Sequence, residues 1–305
     1  MRALHQNKYG DLCTYQVGDV PVPTPGSSEV LIRVHAASIN PVDLKRSSLG
    51  IDDKETFPVV TGYDVAGLVE SVGDGVQGFA KGDRVFGNVQ ADTLGPKTTG
   101  TVAEFCLARH DLLARVPDSV SMVDAAALPL VGQTAIQAFE MASVKAGEKV
   151  FISAGAGGVG IHAMQIAKNM FGVSEVATTA SAAKRDFVVK YGADKVVDYK
   201  TEDAGAVLAG WADMVLDATQ ESEMEKRVLK EGGKLVSIVD TGKEGVSFLL
   251  VTPRKKDLDK IAEAMKDGKL KAVVDSVYSL EDGVKAMKHV LDGRAKGKVV
   301  VQVCK

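Results

Sequence analysis

A glycine-rich turn between a short apolar strand and a helix constrains the fold of this chain more than any other feature. Gly155, Gly157 and Gly160 have the spacing G-x-G-x-x-G, and apolar residues recur at helical spacing after them. Glycines at these positions allow a tight turn, let the backbone approach a pyrophosphate, and let the helix pack closely on the strand. The same spacing also joins strands to helices for packing alone. A second strand predicted near 176–179 favours the dinucleotide site.

The diphosphate of such a ligand would lie on the unpaired N–H groups at the start of the helix. The sequence therefore predicts phosphate contacts from the turn itself. The residues concerned are Gly155, Gly157, Gly158, Val159 and Gly160.

The residues after the second strand indicate which dinucleotide is bound. A site for NAD usually has an Asp or Glu about 20 residues beyond the glycines, where it binds the ribose 2′-hydroxyl. This chain has Ser181 there, followed by Lys184 and Arg185, with no carboxylate at the strand tip. Such cations would stabilise a 2′-phosphate. Ser181 is equally suited to cap a helix and the cations to form a solvated face, and the two interpretations are compatible. The sequence favours NADPH over NADH.

Length and composition narrow the class of protein. The chain has 305 residues, enough for two domains, and its 45% hydrophobic and 25% charged residues are ordinary for a globular protein. A net charge of −3 without blocks of like charge predicts no nucleic-acid partner. No apolar run reaches the ~18 residues of a membrane span. Three scattered cysteines without a C-x-x-C indicate a reducing compartment, and we expect the cytoplasm, or an organelle stroma or membrane periphery if a transit peptide has been removed.

The order of predicted elements indicates two domains of different class. Strand-like segments dominate the first 120 residues, whereas strands alternate with helices after Ser121, as in a doubly wound parallel sheet. Ser121 to Asp124 form a capping box, and the helix is expected to stop at Pro129 and resume at 136. Another helix is expected near 221–230. The polar segment from Gln90 to Thr101 is expected to be a mobile loop.

With these motifs in order, the chain resembles the zinc-independent quinone oxidoreductase branch of the medium-chain dehydrogenases/reductases, and within it the plant-type alkenal/enone reductases and chloroplast-envelope quinone oxidoreductase homologues. The likeness runs nearly end to end. Its marks are Ile39–Arg46, Gly62–Gly67, Gly95–Lys97, the glycine turn, Asp198-Tyr199 and Gly297–Val300. The resemblance implies a GroES-like β-rich catalytic domain over 1–121 with C-terminal strands from 270–305, and a Rossmann NADPH-binding domain over 122–269.

The resemblance also implies chemistry without a metal. Zinc-dependent relatives have Cys where this chain has Asn40 and His where it has Tyr63, and neither replacement is a usual zinc ligand. Without a metal, a carbonyl oxygen must be stabilised by protein donors or the cofactor as charge develops. We therefore expect reduction of a conjugated carbonyl or quinone rather than of an ordinary alcohol–ketone pair.

The family implies roles for individual residues. Asn40 and Lys45 would line the nicotinamide end, with Lys45 the cation nearest the developing enolate, and Tyr63 is the third catalytic candidate. Lys45 could instead be a solvated cation, Asn40 a turn residue, and Tyr63 part of the core with its hydroxyl at the rim of the cleft. Asp43 and Asp64 are expected to be structural. The further cofactor contacts implied are Asn40, Thr134, Ser181, Lys184, Tyr199 and Asp217. Two departures from the family occur, a Gln at 220 where many relatives have Gly, and Pro253-Arg254 at a segment that shapes the substrate mouth.

Three functions remain open at this point. The first is an NADPH-dependent reductase of the C=C bond of α,β-unsaturated carbonyls, and the second is an NADPH:quinone oxidoreductase. The third is an NADPH-binding protein with little catalysis. Monomer and homodimer are both compatible with the sequence.

Overall fold

A computed structural model of the protein describes residues 1–49, 57–89 and 100–304. The strands are β1 (Arg2–Gln6), β2 (Tyr15–Asp19), β3 (Glu29–Ile39), β4 (Val59–Val60), β5 (Asp64–Val72), β6 (Arg84–Asn88), β7 (Phe105–Arg109), β8 (Leu113–Arg115), β9 (Lys149–Ile152), β10 (Glu175–Thr179), β11 (Lys195–Val197), β12 (Ala212–Asp217), β13 (Leu229–Ser237), β14 (Val246–Phe248), β15 (Val274–Ser279) and β16 (Lys298–Gln302). The predicted loop 90–101 and the Gly95–Lys97 mark lie outside the described residues, except for 100 and 101.

Most of the α-helices in the described residues lie in the second half of the chain. They are α1 (Pro41–Leu49), α2 (Met122–Ala126), α3 (Pro129–Ala142), α4 (Gly158–Met170), α5 (Arg185–Lys190), α6 (Ala204–Val207), α7 (Ser222–Glu225), α8 (Lys255–Lys266) and α9 (Gly283–Leu291). Within the described ranges, none of the helices combines the length and apolarity required to traverse a lipid bilayer.

Contacts divide the chain into two compact units. Unit 1 comprises Met1–Leu130, Thr252–Lys266 and Ala272–Lys305, and unit 2 comprises Val131–Val251 and Asp267–Lys271. These limits differ from the predicted boundaries at 121/122 and 269/270, chiefly because α8 groups with unit 1. The predicted domain boundaries themselves stay a prediction.

Unit 1 is a β-rich body completed by the end of the chain. One sheet has the order β2-β1-β4, and a larger one has the order β15-β16-β3-β5-β6-β8 with β7 also on β3. Strand β16 pairs antiparallel with β3, so that Val299 faces Ile39 and Val300 faces Ser38. Alternate apolar side chains of β3, among them Val30, Ile32 and Val34, are fully buried in the core. The return of the last strands to this sheet confirms the expectation for a GroES-like domain.

Unit 2 is built on a six-stranded sheet in which every pairing is parallel, with the order β11-β10-β9-β12-β13-β14. The strands therefore run outward from β9 in both directions, and the order reverses between β9 and β12. This is the doubly wound Rossmann arrangement that the alternating pattern predicts. In such sheets ligands bind outside the carboxyl ends of the strands at the point of reversal.

Several predicted elements differ in their limits. The capping box is confirmed, since Ser121 accepts a hydrogen bond from the Asp124 N–H. The expected restart of the next helix at 136 is wrong, because α3 begins at Pro129 itself. Proline is favourable at the first helical position, where its missing N–H is not needed. The helix expected over 221–230 is also wrong in extent: α7 ends at Glu225 and β13 already begins at Leu229.

Candidate functional site

Close packing around the turn of unit 2 requires glycine at positions 155 and 160. A Cβ at Gly155 would lie 2.1 Å from Thr178 Oγ1 of β10, and a Cβ at Gly160 would lie 2.4 Å from the Ala154 carbonyl oxygen. The left-handed position of the turn is Ala154 (φ 51°) rather than a glycine. Any side chain at 155 or 160 would therefore separate α4 from the sheet.

The turn presents backbone N–H groups at the start of α4. Gly157 is the N-cap residue, and the first intrahelical bond runs from Ile161 N to Gly157 O at 3.0 Å. The N–H groups of Gly158, Val159 and Gly160 consequently have no acceptor within the helix. This geometry suits an anion such as a diphosphate, because the helix dipole adds to the three donors.

Ser181, Lys184 and Tyr199 lie beyond the ends of β10 and β11. Ser181 is at the N-cap position of the single 3₁₀ turn 182–184, but its side chain makes no capping bond. The Ala182 N–H instead donates to Asp198 Oδ2 at 3.1 Å. Tyr199 is 58% exposed. Asp198, which the sequence marks only as part of the Asp198-Tyr199 segment, thus ties the two strand ends together through its carboxylate.

The side chain of Arg185 contacts the backbone of β11. Its guanidinium donates to the Val196 carbonyl at 2.9 Å, which fixes α5 against β11. Of the two cations predicted after β10, Arg185 thus holds α5 on β11, and Lys184 stays the predicted ligand of the 2′-phosphate.

An open cavity of about 380 Å³ lies at the carboxyl ends of β10, β11 and β12. Thr179, Tyr199, Gln220 and Lys243 are among the residues that line it. The loop after β12 shapes one wall. Gln220 has a φ of 68°, a left-handed conformation that glycine adopts more readily than glutamine.

Asp217 orients that loop instead of facing the cavity. It is fully buried, and its Oδ1 accepts the backbone N–H groups of Thr219 at 2.7 Å and Gln220 at 3.0 Å. Its Oδ2 accepts the Ser237 hydroxyl at 2.7 Å. The predicted cofactor contact of Asp217 thus gains no support from the geometry, in which the carboxylate acts on protein groups.

In unit 1, the side chain of Asp43 caps the start of α1. Pro41 is the first helical residue, and Asp43 Oδ2 accepts the Asn40 backbone N–H at 2.8 Å. A carboxylate three residues after the N-cap satisfies a donor that the helix leaves unpaired. The structural role expected for Asp43 is confirmed, and it fixes the start of the helix that carries Lys45.

The Asn40 side chain belongs to a buried polar network. Its Nδ2 donates to Asp64 Oδ2 at 2.8 Å, and its Oδ1 accepts from Lys298 Nζ. Ser38 Oγ and the Leu130 N–H also donate to Asp64, each at 2.8 Å. The structural role expected for Asp64 is thereby confirmed. Both ends of the Asn40 amide are used within the protein.

Lys298 is the residue that the sequence analysis missed. It is 3% exposed, lies 3.5 Å from Asp64 Oδ2 and donates to the Ile39 carbonyl at 3.2 Å. Burial raises the pKa of Asp64 and lowers the pKa of Lys298, and each charge partly offsets the effect on the other. The sequence contains a signal for this residue, because Lys298 lies in the segment Gly297–Val300 that carries the family resemblance. That segment forms part of β16, which pairs with β3.

The remaining predicted residues differ in exposure. Tyr63 is 1% exposed and belongs to the core, Thr134 of α3 is 3% exposed, and Lys45 is exposed on α1. Burial of Tyr63 and Thr134 gives no support for direct contact with a ligand. Lys45 is thus the predicted catalytic residue whose side chain is accessible.

The donors at Asn40 and Tyr63 do not fit a zinc ion. The Asn40 oxygen already faces the ammonium group of Lys298, which would repel a second cation at the same point. Across the described ranges, no three or more His, Cys, Asp or Glu side chains are grouped so as to hold a metal. No step of the chemistry is therefore assigned to zinc.

Comparison with known proteins gives two matching family models. The model described as the alcohol dehydrogenase GroES-like domain matches residues 26–118, and the one described as zinc-binding dehydrogenase matches residues 191–301. The first falls within unit 1. The second spans the end of the Rossmann sheet and the C-terminal strands.

Similar proteins cover the chain from end to end. It is 36% identical over 306 residues to 2-methylene-furan-3-one reductase of Solanum lycopersicum, covering 99% of this chain and 79% of that protein. It is 35% identical to NADPH-dependent alkenal/one oxidoreductase, chloroplastic, of Arabidopsis thaliana, with the same coverage. It is also 35% identical to the chloroplast envelope quinone oxidoreductase homolog of Arabidopsis thaliana, covering 99% and 98%.

Solved structures are similar over the same length. A quinone oxidoreductase from Coxiella burnetii matches with a TM-score of 0.90 at 30% identity, covering 100% of this chain and 99% of that one. An NAD-dependent alcohol dehydrogenase matches with a TM-score of 0.90 at 32% identity, covering 100% of both chains. Proteins of this fold therefore include users of different nicotinamide cofactors.

Proposed function

The chain belongs to the quinone oxidoreductase-like branch of the medium-chain dehydrogenases/reductases, and we propose that it is an NADPH-dependent oxidoreductase that reduces the C=C bond of α,β-unsaturated carbonyls. The observation that carries the proposal is the end-to-end likeness to two plant enzymes named for such reductions, at 36% and 35% identity. The substrate class proposed is a small conjugated enone or alkenal.

The choice of NADPH is supported by the strand ends of unit 2. The three N–H groups at the start of α4 suit the diphosphate, and Ser181, Lys184 and Tyr199 lie beyond β10 and β11, with no carboxylate at the carboxyl end of β10. Lys184 and the two hydroxyls would hold the 2′-phosphate. Because an NAD-dependent protein has the same fold, the preference for NADPH over NADH requires a direct test.

NADPH, when bound, supplies a hydride for the β-carbon of the substrate. The protein's part is to hold the cofactor through the turn and to stabilise the negative charge that develops on the carbonyl oxygen. Lys45 is the group we assign to that charge, because it is an exposed cation on a helix whose start is fixed by Asn40 and Asp43. A fixed cation is more effective than one that must reorganise.

Quinone reduction is the second candidate. It is supported by the 35% identity to a protein named as a quinone oxidoreductase homolog over 98% of that protein's length. A quinone is also a conjugated carbonyl, so the same cation would stabilise the charge that forms on its oxygen. A binding protein with little catalysis is the outcome that remains if neither class of acceptor is reduced.

Purified protein mixed with NADPH, and separately with NADH, tests the proposal against a short enone, a long 2-alkenal and a naphthoquinone. Loss of the reduced-cofactor absorbance and product analysis are followed together. Saturated carbonyl product from the enone or alkenal with NADPH is expected. Turnover of the naphthoquinone alone would replace the proposal with quinone reduction, and tight NADPH binding without turnover would indicate a binding protein.

The place of action is proposed from the same relatives. Those named chloroplastic or chloroplast-envelope favour an organelle stroma or membrane periphery over the cytoplasm. Fractionation of cells that express the full-length protein, with the enone reductase activity measured in each fraction, decides between these locations.

A further inference from the structure

Unit 2 contains a pair of buried carboxyl groups that the proposed chemistry does not use. Asp217 ends β12 and Glu225 ends α7, and neither side chain is exposed. The Thr219 hydroxyl lies between them, with its oxygen 3.3 Å from both Asp217 Oδ1 and Glu225 Oε1. A hydroxyl has one hydrogen, so it cannot donate to two carboxylates at once. One of the two groups must therefore supply a proton of its own.

The hydrogen bonds identify Asp217 as the charged member. Its carboxylate accepts two backbone N–H groups and the Ser237 hydroxyl, which together stabilise a negative charge. Glu225 Oε2, in contrast, is buried and has no hydrogen-bond partner among residues 1–49, 57–89 and 100–304. Burial, with the nearby charge of Asp217, raises the pKa of Glu225 from its ordinary 4.5 to about 8. At neutral pH, Glu225 is the neutral acid and Thr219 relays its hydrogen bond to Asp217.

Other charges on the surrounding elements are engaged with each other or exposed. Helix α7 packs against α6, β12, β13 and the 3₁₀ turn 226–228. The ion pairs on and beside these elements are Asp203–Arg227, Asp213–Lys230, Glu223–Lys226 and Asp240–Lys243. Glu231 and Lys234 of β13 are exposed. Asp217 is consequently the charge that faces Glu225 in the interior.

Ser153 and Asp217 hold the loop that forms one wall of the cavity. Three successive backbone N–H groups of this loop are held by side chains: Ala218 by Ser153 Oγ at 2.8 Å, and Thr219 and Gln220 by Asp217. Gln220 lines the cavity in a left-handed conformation, which such a fixed backbone maintains. A second negative charge beside Asp217 would compete for the same donors.

We propose that Glu225 is a positioning residue for nucleotide binding, and that as the neutral acid it holds segment 218–220 in the shape the cavity needs. The exposed Thr219 hydroxyl gives the proton a route to solvent. Loss of the proton puts two adjacent negative charges in the interior, weakens the loop and lowers the affinity for the nucleotide. The proposal rests on the proposed binding of NADPH by unit 2.

Proton linkage gives the direction in which pH changes the stability of the folded protein. Because the folded state keeps a proton on Glu225 that the unfolded state has already lost, stability falls as pH rises from about 4.5 to about 8 and then levels. Glu225→Gln mimics the neutral acid and does not titrate. We expect its melting temperature to exceed that of the wild type by a margin that grows between about pH 6 and pH 9.

The affinity measurement uses NADPH from pH 7 upward, where most of its 2′-phosphate already carries two negative charges. The wild-type Kd is expected to rise about fivefold or more between about pH 7 and pH 9.5, whereas the Kd of Glu225→Gln changes less than about twofold. Glu231→Gln, an exposed carboxylate on β13, is the matched control and should keep the wild-type pH step. If Glu225→Gln does not fold, Glu225→Met gives the same flat profile by a second route.

The measurements test the role of the Glu225 proton and the proposed NADPH binding separately. A pH step in Glu225→Gln equal to that of the wild type, or a melting difference that does not change with pH, overturns the role of the Glu225 proton. Absence of NADPH binding by the wild type at every pH overturns the proposed function instead. The melting temperatures of the wild type and Glu225→Gln across the pH range need no ligand. In that case they still decide whether Glu225 titrates near pH 8.

Discussion

Lys298 Nζ lies 3.5 Å from Asp64 Oδ2, with both side chains buried, and this ion pair links the last strand of the chain to the start of β5. Asn40 connects the two, since it donates to Asp64 and accepts from Lys298. The network therefore ties together three strands of unit 1 at the point where α1 begins.

Removal of one partner of this pair should be strongly destabilising. Lys298→Met leaves the Asp64 carboxylate buried without its counter-charge, which costs about 3–5 kcal/mol. We expect the melting temperature to fall by roughly 10 °C, measured by scanning calorimetry. Lys285→Met, which removes an exposed lysine on α9, is the control and should change the melting temperature little.

The double variant Lys298→Met with Asp64→Asn should recover much of that loss. Without the lysine, the Asn40 amide is free to turn and offer its oxygen to the new amide at 64. Replacement of both members of a buried pair is often close to neutral. A double variant less stable than Lys298→Met alone would show that the charge of Asp64 acts on other groups.

Gln220→Gly should stabilise unit 2 because it removes a side chain from a left-handed position. Gln220 has a φ of 68°, and such a conformation costs an L-residue about 1–2 kcal/mol. The gain is reduced by the greater freedom of glycine in the unfolded chain. We expect a melting temperature about 1–3 °C above that of the wild type.

Gln220→Ala is the matched variant for this prediction. It loses the weak bond to the Val239 carbonyl at 3.4 Å, as the glycine variant does, but keeps the unfavourable backbone conformation. It should melt below Gln220→Gly by an amount that corresponds to about 1 kcal/mol. Equal melting temperatures for the two variants would mean that the conformation at 220 is not strained.

The sequence predicted the fold better than it predicted the limits and the site. Periodicity identified β9, β10 and α4, because local spacing decides which face of an element is apolar. It missed the joining of β16 to β3, which depends on a pairing between residues about 260 positions apart along the chain. The family likeness implied only that the last strands join the first domain, and the register of β16 on β3 then brought Lys298 next to Asn40.

Site roles were harder to predict where burial decides them. Asp217 has the expected residue type for a cofactor contact, yet it is fully buried and holds the following loop. Glu225 gave no signal in the sequence, since a Glu on a short polar helix is normally exposed. Its burial arises because α7 packs on β12 and β13, which no local pattern reveals.

Lys184→Ala should weaken NADPH binding while leaving NADH binding unchanged. The proposed site pairs its ammonium with the 2′-phosphate that NADH lacks, and a charge-assisted hydrogen bond of this kind contributes roughly 1.5–3 kcal/mol. We expect the Kd for NADPH to rise about tenfold or more. Isothermal titration with each cofactor measures the two values.

Lys190→Ala is the control for Lys184→Ala, because Lys190 is an exposed lysine at the end of α5, the helix that follows Lys184, and lies over the Tyr191 ring. It should leave both affinities within about twofold of the wild type. Equal weakening of NADPH and NADH binding in Lys184→Ala would place Lys184 outside the 2′-phosphate site.

Lys45→Met should reduce turnover of an enone without weakening cofactor binding. In the proposed mechanism the Lys45 ammonium stabilises charge that exists only as the enolate forms, so its loss lowers kcat by about 10²-fold while the Kd for NADPH is retained. Lys45→Arg keeps the charge and should retain more activity than Lys45→Met, although its planar guanidinium will not reproduce the geometry of an ammonium. The measurement is the steady-state rate with a short enone at saturating NADPH, together with the cofactor Kd of each variant. Full turnover in Lys45→Met would exclude Lys45 as the stabilising cation and transfer that role to another donor of unit 1 or to the cofactor itself.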